Sequence, residues 1–238
     1  YKRQVLNRVT GQLRSDIMGK LLSNGRVFLI NKNGIVFGPN SVVDTAGLIA
    51  STLDIDDADF LAGRFRFHGD DKNGAIENEG FIRAGKGGEI VFIAPRIENR
   101  GVITAEDGQL ILAAGEKVTL TSLDLDGVEL EVAAPEHQVL NLGELIADKG
   151  AVGVFAGSLK QAGKVQANTV GVDAQGRIVL SAVSNATLTA TSRTEASGDS
   201  GGSIKVDAGG TTAVAGTVSA SGEVAAGGAV TITGTKVR

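Results

Sequence analysis

The segment His68-Gly69-Asp70-Asp71 is the part of this sequence most suggestive of catalysis. A pair of carboxyl groups can cleave a glycosidic bond, because one acid protonates the leaving oxygen while the other carboxylate activates water. Adjacent residues of a strand point to opposite faces, so Asp70 and Asp71 converge only if a loop bends the chain. The sequence shows no repeating column of further acids and bases beside them. A solvated loop is therefore the simpler interpretation.

Other residues with possible chemistry also lack the spacing that their chemistry needs. The acidic segments 54–59 and 124–126 do not follow the EF-hand pattern or the calcium-binding nonapeptide pattern. The glycine-rich segments 85–88 and 198–202 lack the Gly-Lys-Ser/Thr ending of a phosphate-binding loop. Spacing alone leaves a Ser-His-Asp arrangement open, but no Gly-x-Ser-x-Gly elbow occurs, and His137 is expected in a loop. We expect no catalytic residue, metal or cofactor.

The composition favours an all-β protein with many tight corners. The 238 residues are 42% hydrophobic and 4% aromatic, with no Trp and 34 glycines, and β-branched residues favour strands while glycine permits corners. The absence of cysteine excludes disulfides, and a net charge of −4 makes nucleic acid an improbable partner. No apolar run is long enough to span a bilayer, so we expect no membrane insertion. The chain begins with Tyr1 and lacks a signal-peptide pattern, so we expect either a processed chain or an excised piece of a longer protein.

A repeat dominates the chain after residue 87. A glycine followed by a short apolar run recurs seven times, and successive glycines lie 20, 19, 23, 26, 26 and 26 residues apart. The seven segments are Gly88–Ala94, Gly108–Ala114, Gly127–Ala133, Gly150–Ala156, Gly176–Ala182, Gly202–Ala208 and Gly228–Gly234. Between them lies a second pattern, x-x-Gly-x-[Ile/Val]-x-Ala, as in Asn78–Ala84 and Asn99–Ala105. Each repeat therefore predicts at least two short strands separated by a glycine corner.

Repeats of this length cannot bury an apolar face alone, so they must stack on their neighbours. The Leu-x-x-Leu-x-Leu pattern and the asparagine ladder of leucine-rich repeats are missing, which leaves a β-helix. About ten coils at the strand spacing of ~4.8 Å would make a rod of roughly 50 Å. We expect one β-helix domain over residues 1–238.

Two segments depart from the regular coil. Residues 117–126 lead into an Asp-Gly turn and an alternating run, which predicts a hairpin outside the solenoid. This hairpin competes with counting Gly127 as a repeat corner. Residues 15–22 place Ile17/Leu21 and Met18/Leu22 four apart, as in a helix, but Gly19 weakens a helix. Helix and strand stay open for that segment.

Residues 1–67 resemble a known family. The match rests on an ordered series of segments: Asn7–Thr10, Ser15–Ile17, Gly19–Leu21, Asn24–Gly25, Val27–Gly38, Gly47–Ile55 and Asp59–Phe67. In this order they are similar to the filamentous-haemagglutinin-type secretion domain of two-partner-secretion exoproteins. Residues 68–238 agree with that resemblance as further coils.

The resemblance implies a right-handed parallel β-helix with short extra-helical hairpins or loops. It also implies that an outer-membrane Omp85-type barrel transporter recognises the domain in the periplasm of a Gram-negative bacterium, before secretion or surface display. The implied motif for recognition and structure comprises Asn7, Arg8, Asn31, Asn33, Gly34, Ile35, Phe37 and Gly38.

The family's Asn-Pro-Asn-Gly-Ile motif falls on residues 31–35, where Lys32 replaces the usual proline. Asn-Gly is also the strongest short signal for a β-hairpin. Within stacked coils we expect Asn31–Gly34 to turn the chain between two faces of one coil instead. The family's domain also starts with further strands and an upstream turn, so we expect its N-terminal cap to be absent from residues 1–238.

We expect the chain to be the N-terminal secretion domain of a large adhesin-type exoprotein, and not an enzyme. Its transporter would bind strand edges of an incompletely folded coil. One alternative is a β-helix polysaccharide-degrading enzyme. Another is a stalk that binds glycan or a host protein, although few aromatic residues are present to stack on sugars.

Overall fold

The computed structural model describes residues 3–70, 72–131, 136–169 and 176–238. Within these ranges most residues lie in short strands, and α1 (Asp57–Leu61) is a single helical turn. In chain order the strands are β1 (Gln4–Arg8), β2 (Ser15–Ile17), β3 (Lys20–Ile30), β4 (Ile35–Phe37), β5 (Val42–Ser51), β6 (Asp54–Ile55), β7 (Phe65–His68), β8 (Ile76–Asn78), β9 (Phe81–Ala84), β10 (Glu89–Ala94), β11 (Arg96–Asn99), β12 (Val102–Thr104), β13 (Gln109–Ala114), β14 (Lys117–Leu120), β15 (Val128–Glu131), β16 (Gln138–Asn141), β17 (Glu144–Ile146), β18 (Ala151–Gln161), β19 (Lys164–Gln166), β20 (Arg177–Leu188), β21 (Arg193–Glu195), β22 (Ser203–Val214), β23 (Thr217–Ser219) and β24 (Ala229–Val237). No helix in the described ranges is long and apolar enough to cross a membrane.

Twenty strands pair in parallel from coil to coil and form three columns, which makes the chain a parallel β-helix. Column 1 contains β1, the second halves of β3 and β5, β10, β13 and the first halves of β18, β20, β22 and β24. Column 2 contains β2, β4, β8, β11, β16 and the second halves of β18, β20, β22 and β24. Column 3 contains the first halves of β3 and β5, then β9, β12, β17, β19, β21 and β23.

Nine rungs are stacked in column 1. We number them in chain order as residues 4–8, 26–30, 47–51, 89–94, 109–114, 151–156, 177–182, 203–208 and 229–234. Because successive rungs are adjacent strands, each lies at the strand spacing of ~4.8 Å from the next. The predicted β-helix fold class is confirmed.

The inner core consists of the side chains that point into the coil. Aliphatic residues such as Leu48, Ile90 and Leu110 stack along the axis and are fully buried. The largest inward contact is between Phe37 and Phe92, whose rings are stacked with centroids 5.7 Å apart. Small and branched side chains fill the remaining space, which explains the low aromatic content of the chain.

Glycine is required at several of the turns from column 3 to column 1. The corner glycines lie on top of one another, so a Cβ on Gly108 would overlap the carbonyl oxygen of Gly88, and a Cβ on Gly150 would overlap that of Gly108. In the same way, a Cβ on Gly228 would overlap the carbonyl oxygen of Gly202. Close stacking of backbone on backbone therefore explains the glycine at these corners.

A buried amide ladder runs along the corner between columns 2 and 3. The Nδ2 group of Asn78 donates to Asn99 Oδ1 at 2.8 Å, and Asn99 Nδ2 donates to Asn141 Oδ1 at 2.8 Å. Asn141 Nδ2 then donates to Gln161 Oε1 at 2.7 Å. The sequence lacks the asparagine ladder of leucine-rich repeats, but this β-helix has an amide ladder of its own, which the sequence analysis did not predict. The ladder satisfies amides that would otherwise be buried without partners.

Two excursions leave the coil between columns 1 and 2 and meet outside it. The strands β6 and β7 follow rung 3, whereas β14 and β15 follow rung 5. Together they form a four-stranded antiparallel sheet, the extra-helical sheet, in the order β15-β14-β7-β6. The predicted hairpin at residues 117–126 is confirmed, but counting Gly127 as a repeat corner is wrong, because Gly127 ends a 3-10 turn at the hairpin tip. Val132 and Ala133 of that predicted repeat lie outside the described residues.

The extra-helical sheet and α1 cover the outward face of column 1 and enclose a second core. Phe28, Ile49, Val91 and Ile111 point outward from rungs 2 to 5 and are fully buried beneath the sheet. Because these rungs are buried on both faces, β10 and β13 are apolar at nearly every position. The uncovered rung 8 instead alternates polar and apolar residues.

The segment 15–22 is strand. Ser15–Ile17 pairs with β4, and the start of β3 pairs with β5, so the helical alternative is wrong. Ile17 and Leu21 pack against the inner core, whereas Met18 and Leu22 are largely exposed. The i,i+4 spacing of these residues reflects two strands that meet at a corner.

We predict that Gly108→Ala lowers the free energy of unfolding by about 1–3 kcal/mol, because the new methyl group would overlap the Gly88 carbonyl. Chemical denaturation followed by circular dichroism measures the change. Gly19→Ala is the control, since no atom lies within 4 Å of a Cβ at that position. Equal effects of the two substitutions would contradict the stacked corner.

Candidate functional site

Asn31 organises the corner between columns 1 and 2. Its buried Nδ2 group donates to the Leu13 carbonyl oxygen at 3.0 Å and to Ser15 Oγ at 2.9 Å. Its Oδ1 atom accepts from the backbone N of Asn33 at 3.0 Å, and its carbonyl accepts from the N of Gly34 at 3.1 Å. The first pair of bonds ties the corner to the coil before it, and the second closes a β-turn over residues 31–34.

Asn33 and Gly34 complete the turn. Asn33 Nδ2 donates to the Gly11 carbonyl at 2.9 Å, which adds a second bond to the preceding coil. Gly34 has a φ of +118°, a conformation that residues with side chains rarely adopt. The strands on either side of this turn pair with other coils and not with each other. The prediction of a corner instead of a hairpin is confirmed.

The remaining motif residues after this turn are structural. Ile35 and Phe37 point inward and are fully buried. Gly38 is also buried, and a Cβ there would overlap Met18 Sδ. None of these three residues offers a side chain to the surface of the folded domain.

Arg8 clamps the first strand to the extra-helical excursion. Its Nε atom lies 2.9 Å from Asp54 Oδ1, its Nη1 atom lies 2.6 Å from Asp57 Oδ1, and its Nη2 group donates to the Ile55 carbonyl. The hydrogen bond to Asp57 raises the pKa of the Arg8 guanidinium above its ordinary value, although burial acts in the opposite direction. Neighbouring Asn7 is exposed, and its Nδ2 group donates to the Phe28 carbonyl at 3.4 Å.

The motif therefore divides into buried and accessible residues. Asn7, Arg8 and Asn33 reach the surface at least partly, together with Lys32, which the sequence analysis treated only as a departure from the family pattern. Asn31, Gly34, Ile35, Phe37 and Gly38 are buried. A partner of the folded domain could contact only the first group.

The residues considered for catalysis are not assembled into a site. Asp70 is exposed and accepts from the Lys72 backbone N at 2.9 Å, as in a surface turn, while Asp71 lies outside the described residues. Within the described ranges no group of three or more His, Cys, Asp or Glu side chains could hold a metal ion. His137 precedes β16 as a loop residue but is only 2% exposed, with Nε2 3.4 Å from Glu116 Oε1.

The chain is thus a parallel β-helix whose early coils turn at an Asn-Gly corner. The family described as "TPS secretion domain" matches residues 2–232. The chain therefore belongs to the TPS secretion domain family, where TPS denotes two-partner secretion. This confirms the resemblance found in the sequence. Exoproteins of this family are exported through the periplasm of Gram-negative bacteria.

Individual relatives agree with the family. Two proteins of Haemophilus influenzae, both named heme/hemopexin-binding protein, are 34% identical over 145 residues and 35% identical over 74 residues. The alignments cover 58% and 31% of this chain, but only 16% and 8% of those proteins. The crystal structure of the HMW1 secretion domain from Haemophilus influenzae matches with a TM-score of 0.84 and 33% identity, over 97% of this chain and 60% of that chain.

We predict that Arg8→Ala lowers the free energy of unfolding by about 1 kcal/mol, because three charge-assisted bonds are lost at a partly exposed site. Hydrogen exchange in β1 and residues 54–55 should rise in parallel. The control is Arg14→Ala, whose ion pair with Asp16 lies on the surface within one short segment. An Arg8 effect no larger than the Arg14 effect would rule out the clamp.

We predict that Lys32→Pro stabilises the domain by about 0.4–1 kcal/mol. Lys32 is exposed and occupies the second position of the β-turn, where a φ near −65° is favoured. Thermal unfolding compares Lys32→Pro with Lys32→Ala, which lacks the ring. A loss of stability specific to proline would mean that the turn has a different backbone conformation.

Proposed function

We propose that this chain is the N-terminal part of a large adhesin-type exoprotein, and that its partner is an Omp85-type outer-membrane barrel with periplasmic recognition domains. The observation that carries this proposal is the family match across residues 2–232, supported by agreement in fold with another secretion domain. Binding of host or biofilm glycan would belong to the remainder of the exoprotein. The exoprotein would be secreted or held at the cell surface, with no role for nucleic acid or membrane insertion.

We infer that the transporter reads the motif before the coil is complete. The five buried motif residues cannot be contacted once residues 26–51 have folded around them. In a chain that has not yet folded, by contrast, these buried motif residues would be accessible as a short apolar segment that follows the Asn-Gly sequence. A transporter that binds the incompletely folded coil could therefore contact both the buried and the accessible motif residues.

Strand edges provide the second element of recognition. Among the described residues, β1 pairs with β3 and β2 pairs with β4, and before these coils are stacked each strand presents unpaired main-chain groups. Apolar side chains accompany these edges, since Leu13 is 81% exposed and Met18 is 55% exposed. An extended segment of a periplasmic domain could add to such an edge through main-chain hydrogen bonds.

The alternatives are less well supported. A polysaccharide-degrading enzyme needs converging carboxylates, whereas the acidic residues Asp54 and Asp126 of the excursions are exposed and pair with arginines. A glycan-binding stalk would use aromatic platforms, but in the described ranges the phenylalanines are buried or partly buried apart from Phe81. We therefore propose one β-helix domain over residues 1–238 that works as an export signal and as a template for folding.

We predict that Phe37→Ala strongly reduces barrel-dependent export of a passenger fused after Arg238. Export is measured as passenger in the medium, with and without the transporter. The matched control is Phe92→Ala, because Phe92 stacks on Phe37 in the same core but lies outside the motif. The two substitutions remove the same ring contact, so they should destabilise the folded domain similarly.

If export of the passenger falls in Phe37→Ala but not in Phe92→Ala, the result supports recognition of the motif by the transporter. Equal reduction by both variants would show that only stability matters and would refute the role of the motif. Export that does not depend on the barrel would refute the secretion partner itself.

A further inference from the structure

Three Asn-Gly sequences occur in the chain, at residues 24–25, 33–34 and 73–74. Asparagine followed by glycine is chemically labile, because the backbone N of glycine can attack the asparagine Cγ atom and glycine has no side chain to hinder the approach. The attack requires that the glycine N leaves its hydrogen-bond partner and that the asparagine amide is free to turn. The folded domain meets these two requirements to different extents at the three sequences.

In the corner motif both reacting groups are held. Gly34 N donates to the Asn31 carbonyl oxygen at 3.1 Å, which closes the turn. Asn33 Nδ2 donates to the Gly11 carbonyl oxygen at 2.9 Å and to Asn31 Oδ1 at 3.1 Å. The reaction at Asn33 therefore requires that the whole turn opens.

Asn73 is held in the same way. Gly74 N donates to the Lys32 carbonyl oxygen at 2.7 Å. Asn73 Nδ2 donates to the Thr52 carbonyl oxygen, and Asn73 Oδ1 accepts from the backbone N of Asp70 at 3.2 Å. Because the bonds to Lys32 and Thr52 join this segment to earlier parts of the chain, the fold restrains both reacting groups.

Asn24 is the exception. It is exposed, and its side chain makes no hydrogen bond to any residue that the structure describes. Asn24 and Gly25 together lie opposite the single residue Ala46 of the next coil, so they form a β-bulge outside the ladder. Gly25 N donates to Ser23 Oγ at 3.0 Å, and a change of the serine rotamer is enough to release it.

The surroundings of Asn24 are positively charged. A pocket of about 430 Å³ beside it is lined by three basic side chains, Arg3, Arg26 and Lys86, and by one acidic side chain, Glu89. Glu89 pairs with Arg26, so the excess positive charge of the lining comes from Arg3 and Lys86. A carboxylate at residue 24 is electrostatically compatible with this pocket.

We propose that Asn24 is a deamidation site of the folded domain, and that the fold protects Asn33 and Asn73. In the reaction, Gly25 N loses its proton and bonds to Asn24 Cγ. The Cγ–Nδ2 bond breaks, and the amide group leaves with that proton as ammonia. Water then opens the succinimide ring at one of its two carbonyl carbons, which gives aspartate or isoaspartate and adds a negative charge at residue 24.

The same reaction at Asn33 would damage the corner motif. The Asn33 Nδ2 group donates to the Gly11 carbonyl oxygen and to Asn31 Oδ1, and a carboxylate cannot donate to either oxygen. A carboxylate at residue 33 would lie against two acceptors and oppose closure of the turn. The folded turn therefore prevents a reaction that would destroy it.

The three sequences are compared within one chain. The folded domain and the chain in denaturant are aged side by side at the same temperature and mildly alkaline pH, and peptide mapping by mass spectrometry measures the product at residues 24, 33 and 73. We expect Asn24 to react at similar rates in both samples. Asn33 and Asn73 should react on the order of tenfold more slowly in the folded domain, because the reaction there requires local opening.

Asn24→Gln is the matched control, since glutamine would have to form a larger ring. It should abolish the product at residue 24 and leave the rates at Asn33 and Asn73 unchanged. A folded-domain rate at Asn24 as low as that at Asn33 would overturn the proposal, and so would a rate at Asn33 as high as in denaturant.

Refolding tests the protection of the turn separately. The chain aged in denaturant carries product at all three sequences, and after refolding its folded fraction is isolated by size-exclusion chromatography. We expect the folded fraction to retain product at residue 24 and to be depleted several-fold in product at residue 33. Equal retention of both products would overturn the protective role of the turn. Neither measurement involves the transporter, so both outcomes are independent of the proposed secretion function.

Discussion

Coil-to-coil hydrogen bonding at the spacing of adjacent strands is the constraint on which the rest of this structure depends. Each backbone position has a partner ~4.8 Å above or below it, so whatever occupies one coil must fit against the equivalent position of the next. At the corner from column 3 to column 1, for example, a Cβ on Gly108 would overlap the Gly88 carbonyl oxygen. Inside, polar groups must pair along the axis, as Asn99 and Asn141 do. Stability therefore comes from repetition of modest contacts between neighbouring coils.

Local signals of the sequence predicted most of the solenoid, and tertiary contacts explain where the prediction was wrong. The corner at Asn31 was predictable because the bonds within its turn span only a few residues. Gly127 was misassigned because an Asp-Gly hairpin and a coil corner have the same local pattern. One signal was present but not used: β10 and β13 are apolar without alternation. That pattern indicates burial on both faces and so predicts a covering layer.

The partners of Arg8 could not be predicted from the sequence. They depend on which excursion lies beside β1, and Asp54 and Asp57 are more than 40 residues away.

A similar long-range pair joins Arg26 of rung 2 to Glu89 of rung 4, across Gly47 of rung 3. A Cβ on Gly47 would lie 3.4 Å from Glu89 Oε2 and 3.5 Å from Arg26 Cγ, so a side chain at this position would be in contact with both members of the pair. A slip of one rung would leave both charges buried without a partner, so the pair opposes misregistered stacking.

The distribution of burial within the motif connects this fold to export. If the transporter recognised the motif in the folded domain, the motif would consist mainly of exposed polar side chains. Instead, Ile35 and Phe37 are fully buried, and the Asn31 side chain makes four hydrogen bonds within the domain. In the function proposed above, such residues perform two tasks at different times: before folding they would form an apolar strand that the transporter binds, and after folding they anchor the first coils. Each later coil stacks on the one before it. When the motif residues become buried, the first coils are therefore complete, and the remaining coils can assemble on them.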